Sequence, residues 1–295
     1  MQRQWYGRDP GLTARMFFAM FLLAVVYLGF LAVLWYAGAG YGAMVVIAGL
    51  MIGAQYFLSD RLVLWSMGAH EVSPEQAPKL HAQIERLAAL VNLPKPRVAI
   101  ADQAIPNAFA TGRGPKSSVV AVTTGLLNRL EGPELEAVLA HEITHIKNRD
   151  VVVITLASFF STVAFFILRW SMFFGGGDRR RNAQGIIFVY LASLATWLIS
   201  FLLIRALSRY REYAADRGSA IITGAPSQLA SALMKIAGTM QRIPQRDLRE
   251  VEGMNAFFIV PAISGESVFE LLSTHPSLER RLQRLERMQQ QMEGL

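Results

Sequence analysis

The sequence contains no cysteine among its 295 residues. This absence excludes a disulfide scaffold, a thiol nucleophile and a zinc site built on thiolates. Any metal chemistry therefore has to rest on carboxylates and on histidine, of which there are 5. Charge is also scarce, because 17% of the residues are charged, whereas an ordinary soluble domain has about 25%.

Hydrophobic residues make up 53% of the chain, and its mean hydropathy is +0.31. They are concentrated in long unbroken runs, which excludes disordered, collagen-like and coiled-coil proteins. The composition therefore predicts one soluble core together with membrane segments. The net charge of +7 is compatible with nucleic-acid binding, but in membrane proteins Arg and Lys more often set orientation and contact anionic lipids. We expect a lipid bilayer as a partner and no nucleic acid.

Four apolar runs predict two membrane hairpins. They extend from Met16 to Gly38, from Tyr41 to Leu58, from Val151 to Phe174 and from Gly185 to Ile204. Each run approaches or exceeds the roughly 20 residues that a helix needs to cross a bilayer. For the second hairpin the alternative is a pair of buried core helices. The runs divide the chain into a membrane hairpin at 1–59, a first soluble part at 60–150, a second hairpin at 151–204 and a second soluble part at 205–295.

The positive charges predict the orientation of the chain. Arg3, Arg8 and Arg15 precede the first run, while the turn of the first hairpin carries no charge, so the N-terminus is expected in the cytoplasm. Two complete hairpins leave both termini and the soluble parts on that side. The arginine triplet at 179–181 contradicts this topology, since it lies in the turn of the second hairpin. Either that hairpin dips into the membrane without crossing it, or it crosses despite the triplet.

The soluble parts predict a mixture of helices and strands. An amphipathic helix is expected over residues 78–91, where apolar side chains recur at helical spacing. Apolar runs separated by proline and glycine predict strands at Arg97–Ala101, Ala108–Thr111 and Ser118–Thr123. A further helix is expected from Pro133 to about Asn148, because proline favours the first turn of a helix.

His141-Glu142-Ile143-Thr144-His145 forms an H-E-x-x-H pattern on this last helix. Residues four apart lie on one helical face, so both imidazoles can point to one metal ion. Zinc held in this way lowers the pKa of a bound water toward about 7, and an adjacent carboxylate can remove its proton. The pattern predicts His141 and His145 as ligands and Glu142 as the general base. Chance placement produces it in fewer than about one such chain in a hundred.

A catalytic zinc site has three protein ligands and one open position. Glu212 and Asp216 are four residues apart on a predicted helix, so they share a face. Glu212 could ligate zinc, and Asp216 could accept the second N–H of a ligand histidine and fix its tautomer. The alternative is a surface helix whose acids pair with nearby arginines, namely Arg209, Arg211 and Arg217. Spacing alone leaves both interpretations open.

Three histidines lie outside the motif. His275 comes just before a predicted helix, whose N-terminus disfavours the imidazolium form. A neutral His275 could therefore donate a hydrogen bond to an oxyanion that develops during catalysis. A simple histidine beside a helix cap is an equally good interpretation. His70 and His81 are assigned to solvated surface, because neither has a second histidine at metal-ligand spacing.

The segment Asn107-Ala108-Phe109-Ala110 precedes the motif helix. As an edge strand it could pair with an extended peptide through backbone hydrogen bonds, which is how an endopeptidase holds a chain with little sequence demand. These four residues are thus candidates for substrate binding. The alternative is an interior strand of a small sheet.

Taken together, these motifs resemble the HtpX family of membrane zinc metalloproteases, relatives of the CaaX prenyl endopeptidases. The resemblance is carried by His141-Glu142-Ile143-Thr144-His145, Arg211-Glu212-Tyr213-Ala214-Ala215-Asp216, Pro106-Asn107-Ala108-Phe109-Ala110 and Thr274-His275-Pro276-Ser277, with membrane hairpins around them. It implies one zinc ion per chain on His141, His145 and Glu212, with Glu142 in catalysis. It also implies a cytoplasm-facing site in a bacterial inner membrane.

The expected fold is an α-helical integral membrane protein with about four transmembrane helices in two hairpins. It carries a zincin-like α+β domain that is mostly α. The resemblance implies a zinc endopeptidase that degrades misfolded or damaged membrane proteins, or unfolded polypeptides, under stress. The alternative is a non-hydrolytic zinc-binding module for transport or as a scaffold. Transport is disfavoured because the four runs are almost free of ionisable groups, and Glu142 argues against a scaffold that does not cleave.

Overall fold

A computed structural model of the protein describes residues 9–36, 63–174, 183–243, 258–260 and 274–294, together with isolated positions between 42 and 61. In chain order its elements are α1 (Pro10–Tyr36), β1 (Ala69–Glu71), α2 (Pro78–Leu90), β2 (Arg97–Ala101), β3 (Ala108–Thr111), a 3₁₀ turn (Pro115–Ser117), β4 (Val119–Thr123), α3 (Thr124–Arg129), α4 (Gly132–Asn148), α5 (Asp150–Phe174), α6 (Ala183–Thr223), α7 (Pro226–Met240) and α8 (Leu278–Glu293).

The chain divides into two units. Unit 1 contains Met1–Asp9, Leu58–Val152 and Ser208–Leu295, and unit 2 contains Pro10–Phe57 and Val153–Leu207. Unit 1 holds the strands and the shorter helices, whereas the described part of unit 2 is helical throughout.

Three of the described helices contain stretches long and apolar enough to cross a membrane, at Pro10–Leu34, Asp150–Arg169 and Ile187–Thr223. They overlap the first, third and fourth apolar runs of the sequence. The second run, from Tyr41 to Leu58, lies largely outside the described residues, so the count of four spans stays a prediction.

Unit 2 has apolar residues both inside and outside. Phe30 and Leu34 of α1 pack with Val163 and Ile167 of α5 and with Val189 of α6. Many large apolar side chains are instead exposed, including Phe17, Phe18, Phe21, Leu28, Ile187 and Phe188, which are 57% to 70% exposed. An outer surface of this kind favours contact with lipid over contact with water.

A four-stranded sheet with the order β1-β2-β4-β3 organises the described part of unit 1. Strands β2 and β4 are parallel, while β1 is antiparallel to β2 and β3 is antiparallel to β4. Every residue of β4 is buried, as expected for a central strand. Strand β3 lies at one edge of this sheet, with Phe109 opposite Ala121.

The core of unit 1 lies between the sheet and three helices. Helix α2 contributes the apolar face that its periodicity predicts, and helix α7 adds Leu229, Leu233 and Ile236. Helix α4 contributes Val138, Leu139 and Ile143 to the same cluster. Because α4 packs against β3 as well as against α7, the motif helix is held close to the edge strand.

Local sequence explains where α4 begins and ends. Pro133 occupies its first turn, and Glu131 and Glu134 form a reciprocal capping box that satisfies backbone N–H groups there. At its end Arg149 has the left-handed conformation, with φ of 56°. This left-handed residue ends α4, and α5 begins at the next residue, Asp150.

The part of α6 in unit 1 lies against α4 at very close range. A Cβ atom added to Gly218 would lie 2.3 Å from Cγ2 of Thr144, so no larger residue fits there without a shift. The next residue, Ser219, donates a hydrogen bond of 2.7 Å to the carbonyl of Ala137. Small residues thus let α6 approach the helix that carries the motif.

Candidate metal centre

Helix α4 presents both motif histidines on one face, as their spacing predicts. The Nε2 atoms of His141 and His145 are 3.1 Å apart, and the rings meet edge to face with centroids 4.7 Å apart. His141 is buried, with 1% of its side chain exposed, whereas 18% of the His145 side chain is exposed. His145 is therefore the more open of the two.

Helix α6 brings Glu212 to the same point. Its Oε2 lies 3.7 Å from Nε2 of His141, and its Oε1 lies 3.5 Å from Nε2 of His145. Ligand atoms of these three residues all lie within 4.8 Å of one another. Glu212 is buried, which rules out the alternative of a surface helix with solvated acids.

This donor set fits zinc. Tetrahedral zinc with ligands at about 2.0 to 2.1 Å has neighbouring ligand atoms about 3.3 Å apart. The observed separations of 3.1, 3.5 and 3.7 Å lie close to that value. Two imidazoles and one carboxylate are also a donor set found in catalytic zinc sites, which keep a fourth position open.

The second nitrogen of His141 has its own partner. Nδ1 of His141 lies 3.0 Å from Oδ1 of Asp216, and Asp216 accepts two hydrogen bonds from Arg281, at 2.9 and 2.6 Å. Both Asp216 and Arg281 are buried, with 1% and 2% of their side chains exposed. Such a carboxylate holds an imidazole in one tautomer, with the other nitrogen facing the metal position.

His145 has a separate partner, at the start of α5. Its Nδ1 lies 2.6 Å from Oδ2 of Asp150. Asp150 is paired in turn with Arg211, which also donates a hydrogen bond of 2.9 Å to the carbonyl of Asn148. No pattern in the sequence predicted a role for Asp150 or this partner for Arg211.

Comparison with known proteins identifies the family. The family model described as Peptidase family M48 matches residues 74–289. The chain belongs to peptidase family M48. The matched range contains all six residues predicted for chemistry, namely His141, Glu142, His145, Glu212, Asp216 and His275.

Individual relatives agree with this assignment. "Protease HtpX homolog" of Moorella thermoacetica is 65% identical and covers 99% of both chains. "Protease HtpX homolog 2" of Methanosarcina acetivorans is 60% identical over 99% of this chain and 100% of the relative. The crystal structure of S. mikatae Ste24p matches with a TM-score of 0.55 and 19% identity, over 91% of this chain and 63% of that one, which shows a shared fold.

The resemblance to the HtpX family is therefore confirmed, and this M48 member is a metalloprotease. Membership in a peptidase family also argues against the alternative of a non-hydrolytic zinc module. The mostly helical fold with a small sheet and apolar helices agrees with a membrane protease of this family.

Glu142 of the M48 motif is buried beside the metal position, with 4% exposure. Its carboxylate accepts a hydrogen bond from the backbone of Ala110 in the edge strand. Burial raises the pKa of Glu142, while the neighbouring His141 and His145 act in the opposite direction. A raised pKa makes a carboxylate a better proton acceptor at neutral pH.

The two histidines differ in basicity. Burial lowers the pKa of His141, but hydrogen bonds with Asp216 and Glu212 outweigh it and raise that pKa to about 9. For His145, burial and the nearby His141 lower the pKa instead. In the metal-free protein near neutral pH, His141 thus carries the proton that a metal has to displace, whereas His145 is neutral.

His275 lies at the candidate metal centre, where it contacts Glu212, a predicted ligand. Its Nδ1 is 3.2 Å from Oε2 of Glu212, and His275 is 5% exposed. Arg281 also approaches this oxygen, with its NH1 nitrogen at 3.6 Å. Two donors therefore face the carboxylate oxygen of Glu212, so His275 is placed to orient Glu212.

The structure gives the four predicted substrate-binding residues different surroundings. Asn107, Ala108 and Phe109 are buried, with 0% to 2% exposure, while Ala110 is partly exposed. The amide oxygen of Asn107 accepts a hydrogen bond of 3.1 Å from the Ile259 backbone, so this side chain has a structural partner. The Ile259 carbonyl accepts a further bond of 2.6 Å from Arg281.

A groove begins at the more open histidine. It is lined by Ala110, Thr111, Gly112, Gly114, Ser118, His145, Ile146, Arg149, Asp150, Val151 and Val152. The end of β3 forms one wall, and the turn from α4 to α5 forms another. The groove therefore lies beside both the end of β3 and His145.

One assignment of a histidine to the surface was wrong. His81 is 8% exposed, and its Nε2 lies 3.0 Å from the carbonyl of Val72. The ring is buried because it occupies the inner face of α2 and finds a backbone partner there. His70 is exposed, as expected.

Proposed function

We propose that this M48 peptidase is a membrane-bound zinc endopeptidase that cleaves unfolded polypeptides and membrane proteins, in protein quality control under stress. Unit 1 is the catalytic part and unit 2 the membrane part, with the active site and both termini on the cytoplasmic side of a bacterial-type inner membrane. The observation that supports this most directly is the triangle of His141 Nε2, His145 Nε2 and Glu212 carboxylate, with edges of 3.1 to 3.7 Å.

Each residue has a defined task in this proposal. His141, His145 and Glu212 hold one zinc ion, which when bound supplies a water of lowered pKa and polarises a carbonyl. Glu142 accepts the proton of the attacking water and returns it to the leaving amine. Asp216 fixes the tautomer of His141. His275 donates a hydrogen bond to the carbonyl oxygen of the substrate as its charge develops.

Strand β3 supplies the binding surface for substrate. It lies at the edge of the described sheet, where a peptide can add as a further strand through backbone hydrogen bonds. Ala110 is the partly exposed member of the segment and bonds to Glu142 through its backbone. A peptide paired at Ala110 is therefore brought directly to the general base, with few demands on its sequence.

The membrane assignment rests on hydropathy and on exposure. The most apolar 18-residue windows of the three described spans have mean hydropathies of 2.7, 2.5 and 2.3, and 19% to 28% of each window is buried inside the protein. Apolar helices with so little internal burial need lipid around them. The cytoplasmic orientation is proposed from the arginines that precede the first span.

Glu142→Gln tests the proposed chemistry. The amide keeps the size of the side chain but accepts no proton, so cleavage of an unfolded protein such as casein should fall at least about 100-fold. Zinc content should stay near one ion per chain, because Glu142 is not a ligand. Both are measured on purified detergent-solubilised protein, by fluorescence release and by elemental analysis.

A matched control is available on the same helix. Glu136→Gln removes a carboxylate that pairs with Arg86 at the surface of α4, so both cleavage and zinc content should remain near wild type. Cleavage by Glu142→Gln at the rate of Glu136→Gln would refute the general-base assignment. Wild-type protein that cleaves equally well after its zinc has been removed would refute the metal mechanism.

A further inference from the structure

Both motif histidines have a buried carboxylate behind them, and each carboxylate has an arginine behind it. His141 is followed by Asp216 and Arg281. The second series runs from His145 to Asp150 and then to Arg211. Both series begin on α4 and use α6, while Arg281 comes from α8 and Asp150 from α5. They place the same three kinds of group in the same order.

From the second series we infer that Asp150 is a positioning residue of the peptidase, held in place by Arg211. Asp150 fixes the tautomer and the direction of the His145 ring, so that Nε2 of His145 faces Glu212. This inference rests on the proposed zinc site, and it gives Asp150 and Arg211 roles that no pattern in the sequence predicted.

The contacts of Asp150 support this role. Its Oδ2 lies 2.6 Å from Nδ1 of His145, which is in the range of a charge-assisted hydrogen bond. When Nδ1 donates this bond, the lone pair of Nε2 is left for a metal. Nε2 in fact points toward Oε1 of Glu212, at 3.5 Å.

Arg211 is the reason that Asp150 keeps its place. It pairs with Asp150 and donates a 2.9 Å bond to the Asn148 carbonyl near the end of α4. Arg211 and Glu212 are consecutive on α6. The same turn of that helix therefore places Glu212, a predicted ligand, and fixes Asp150, the carboxylate that contacts His145. The end of α4 and the start of α5 are thereby tied to the metal position.

The environment of His145 makes this support necessary. The His145 side chain is 18% exposed, compared with 1% for His141, and it lines the groove beside β3. Packing alone restrains a partly open ring less than a buried one. Asp150, with 10% of its side chain exposed, adds a restraint through its contact with Nδ1 of His145.

Two variants separate positioning from simple stabilisation. Asp150→Asn should weaken zinc binding about 10- to 100-fold, the usual effect of losing such a partner. It also leaves Arg211 buried without its counter-charge, which lowers the thermal midpoint of the metal-free protein. The double variant Asp150→Asn with Arg211→Gln removes both charges together, so this midpoint should recover while zinc binding stays weak.

The measurements are the zinc dissociation constant by chelator competition, the thermal midpoint of the metal-free protein, and the visible spectrum of the cobalt-substituted protein. The spectrum should change in both Asp150 variants, because it reports ligand geometry. Asp102→Asn is the matched control, since Asp102 is exposed and accepts a bond from Thr124. Its zinc constant should stay within about twofold of wild type, well below the effect expected at Asp150.

Wild-type zinc affinity and an unchanged cobalt spectrum in the Asp150→Asn protein would overturn the inference. So would a double variant whose zinc affinity recovers together with its midpoint, because the pair would then act through stability alone. Neither outcome bears on the Glu142→Gln experiment. A failure of this inference is therefore distinguishable from a failure of the proposed peptidase mechanism.

Discussion

The described parts of the two units differ in whether they bury charged side chains. In the described part of unit 1 the buried charged side chains are Glu134, Glu142, Asp150, Arg211, Glu212, Asp216 and Arg281. In the described part of unit 2 the buried polar residues carry hydroxyl groups instead, namely Ser161, Ser193, Thr196 and Ser200. Burying a charge is costly unless it is paired, whereas a hydroxyl can bond to a helix carbonyl at little cost.

The difference shows which described part of the protein contains buried charges despite their cost in free energy. All of the charges named in unit 1 except Glu134 belong to the metal centre and its partners, and Glu134 caps α4 and pairs with Lys235. Unit 2 follows the rule for helices in lipid, where ionisable groups are avoided. Buried charge in this molecule therefore marks the site, and substitutions in the two units should have very different consequences.

Glu212→Ala should have the largest effect. It removes a carboxylate that faces both histidines, so zinc affinity should fall by more than the 10- to 100-fold typical for the loss of an outer partner. Cleavage should be lost with it. Chelator competition measures the affinity, and Glu286→Ala on the exposed face of α8 is the control. Unchanged zinc content after dialysis would remove Glu212 from the ligand set.

A pH titration should give the next largest effect. The pKa of His141 is raised to about 9 in the metal-free protein, so its proton stabilises the fold below about pH 6.5, and this gain is lost as pH rises through 9. Zinc needs the neutral ring and competes with that proton. Its apparent affinity should therefore rise about tenfold per pH unit from pH 7 to about 9 and then level off.

Isothermal titration in buffers of different ionisation enthalpy measures both the affinity and the proton released. The expected release is close to one proton per zinc at pH 7, because burial and the nearby His141 lower the pKa of His145. An affinity that is flat from pH 7 to 9 would show that His141 is already neutral, contrary to the pairing with Asp216.

Gly218→Ala tests the close approach of α6 to α4. The added Cβ would overlap Thr144, and overpacking of this kind typically costs about 1 to 3 kcal/mol. The shift should also move Glu212 and weaken zinc binding. Gly238→Ala in α7 is the matched control, because its Cβ meets nothing within 4 Å. Chemical denaturation should show the control equal to or more stable than wild type.

Tyr27→Phe in unit 2 should have the smallest effect. The Tyr27 hydroxyl donates to the carbonyl of Ala157, and hydrogen bonds between membrane helices average about 0.6 kcal/mol. Unfolding in mixed detergent should shift by about that amount, with zinc affinity unchanged. A loss of zinc binding in this variant would contradict the separation of the two units drawn above.

Much of the local structure was predictable from the sequence. Strands β2 and β3 have the predicted bounds, and α4 begins one residue before Pro133, because these elements depend on local patterns of apolar residues and on turn signals. The i, i+4 spacing of His141 and His145 fixed their common face. The edge position of β3 was one of two open alternatives, and among the described strands β3 lies at the edge.

The residues that contact the second nitrogens of the histidines were harder to predict from the sequence. Asp216 was found because it lies four residues from Glu212, whereas Arg281 comes from a distant helix whose approach no local pattern encodes. Asp150 lies five residues after His145. It comes close to His145 because Arg149, between them, has a left-handed backbone conformation that an arginine side chain does not predict. Proximity in sequence to His145 was the signal that could have suggested it.

One backbone segment connects the start of β3 with the carboxylate that contacts His141. Ile259 is held from one side by Asn107, just before β3, and from the other by Arg281, which also grips Asp216 behind His141. A continuous series of hydrogen bonds therefore runs from the residue before the edge strand, through Ile259 and Arg281, to the carboxylate beside His141.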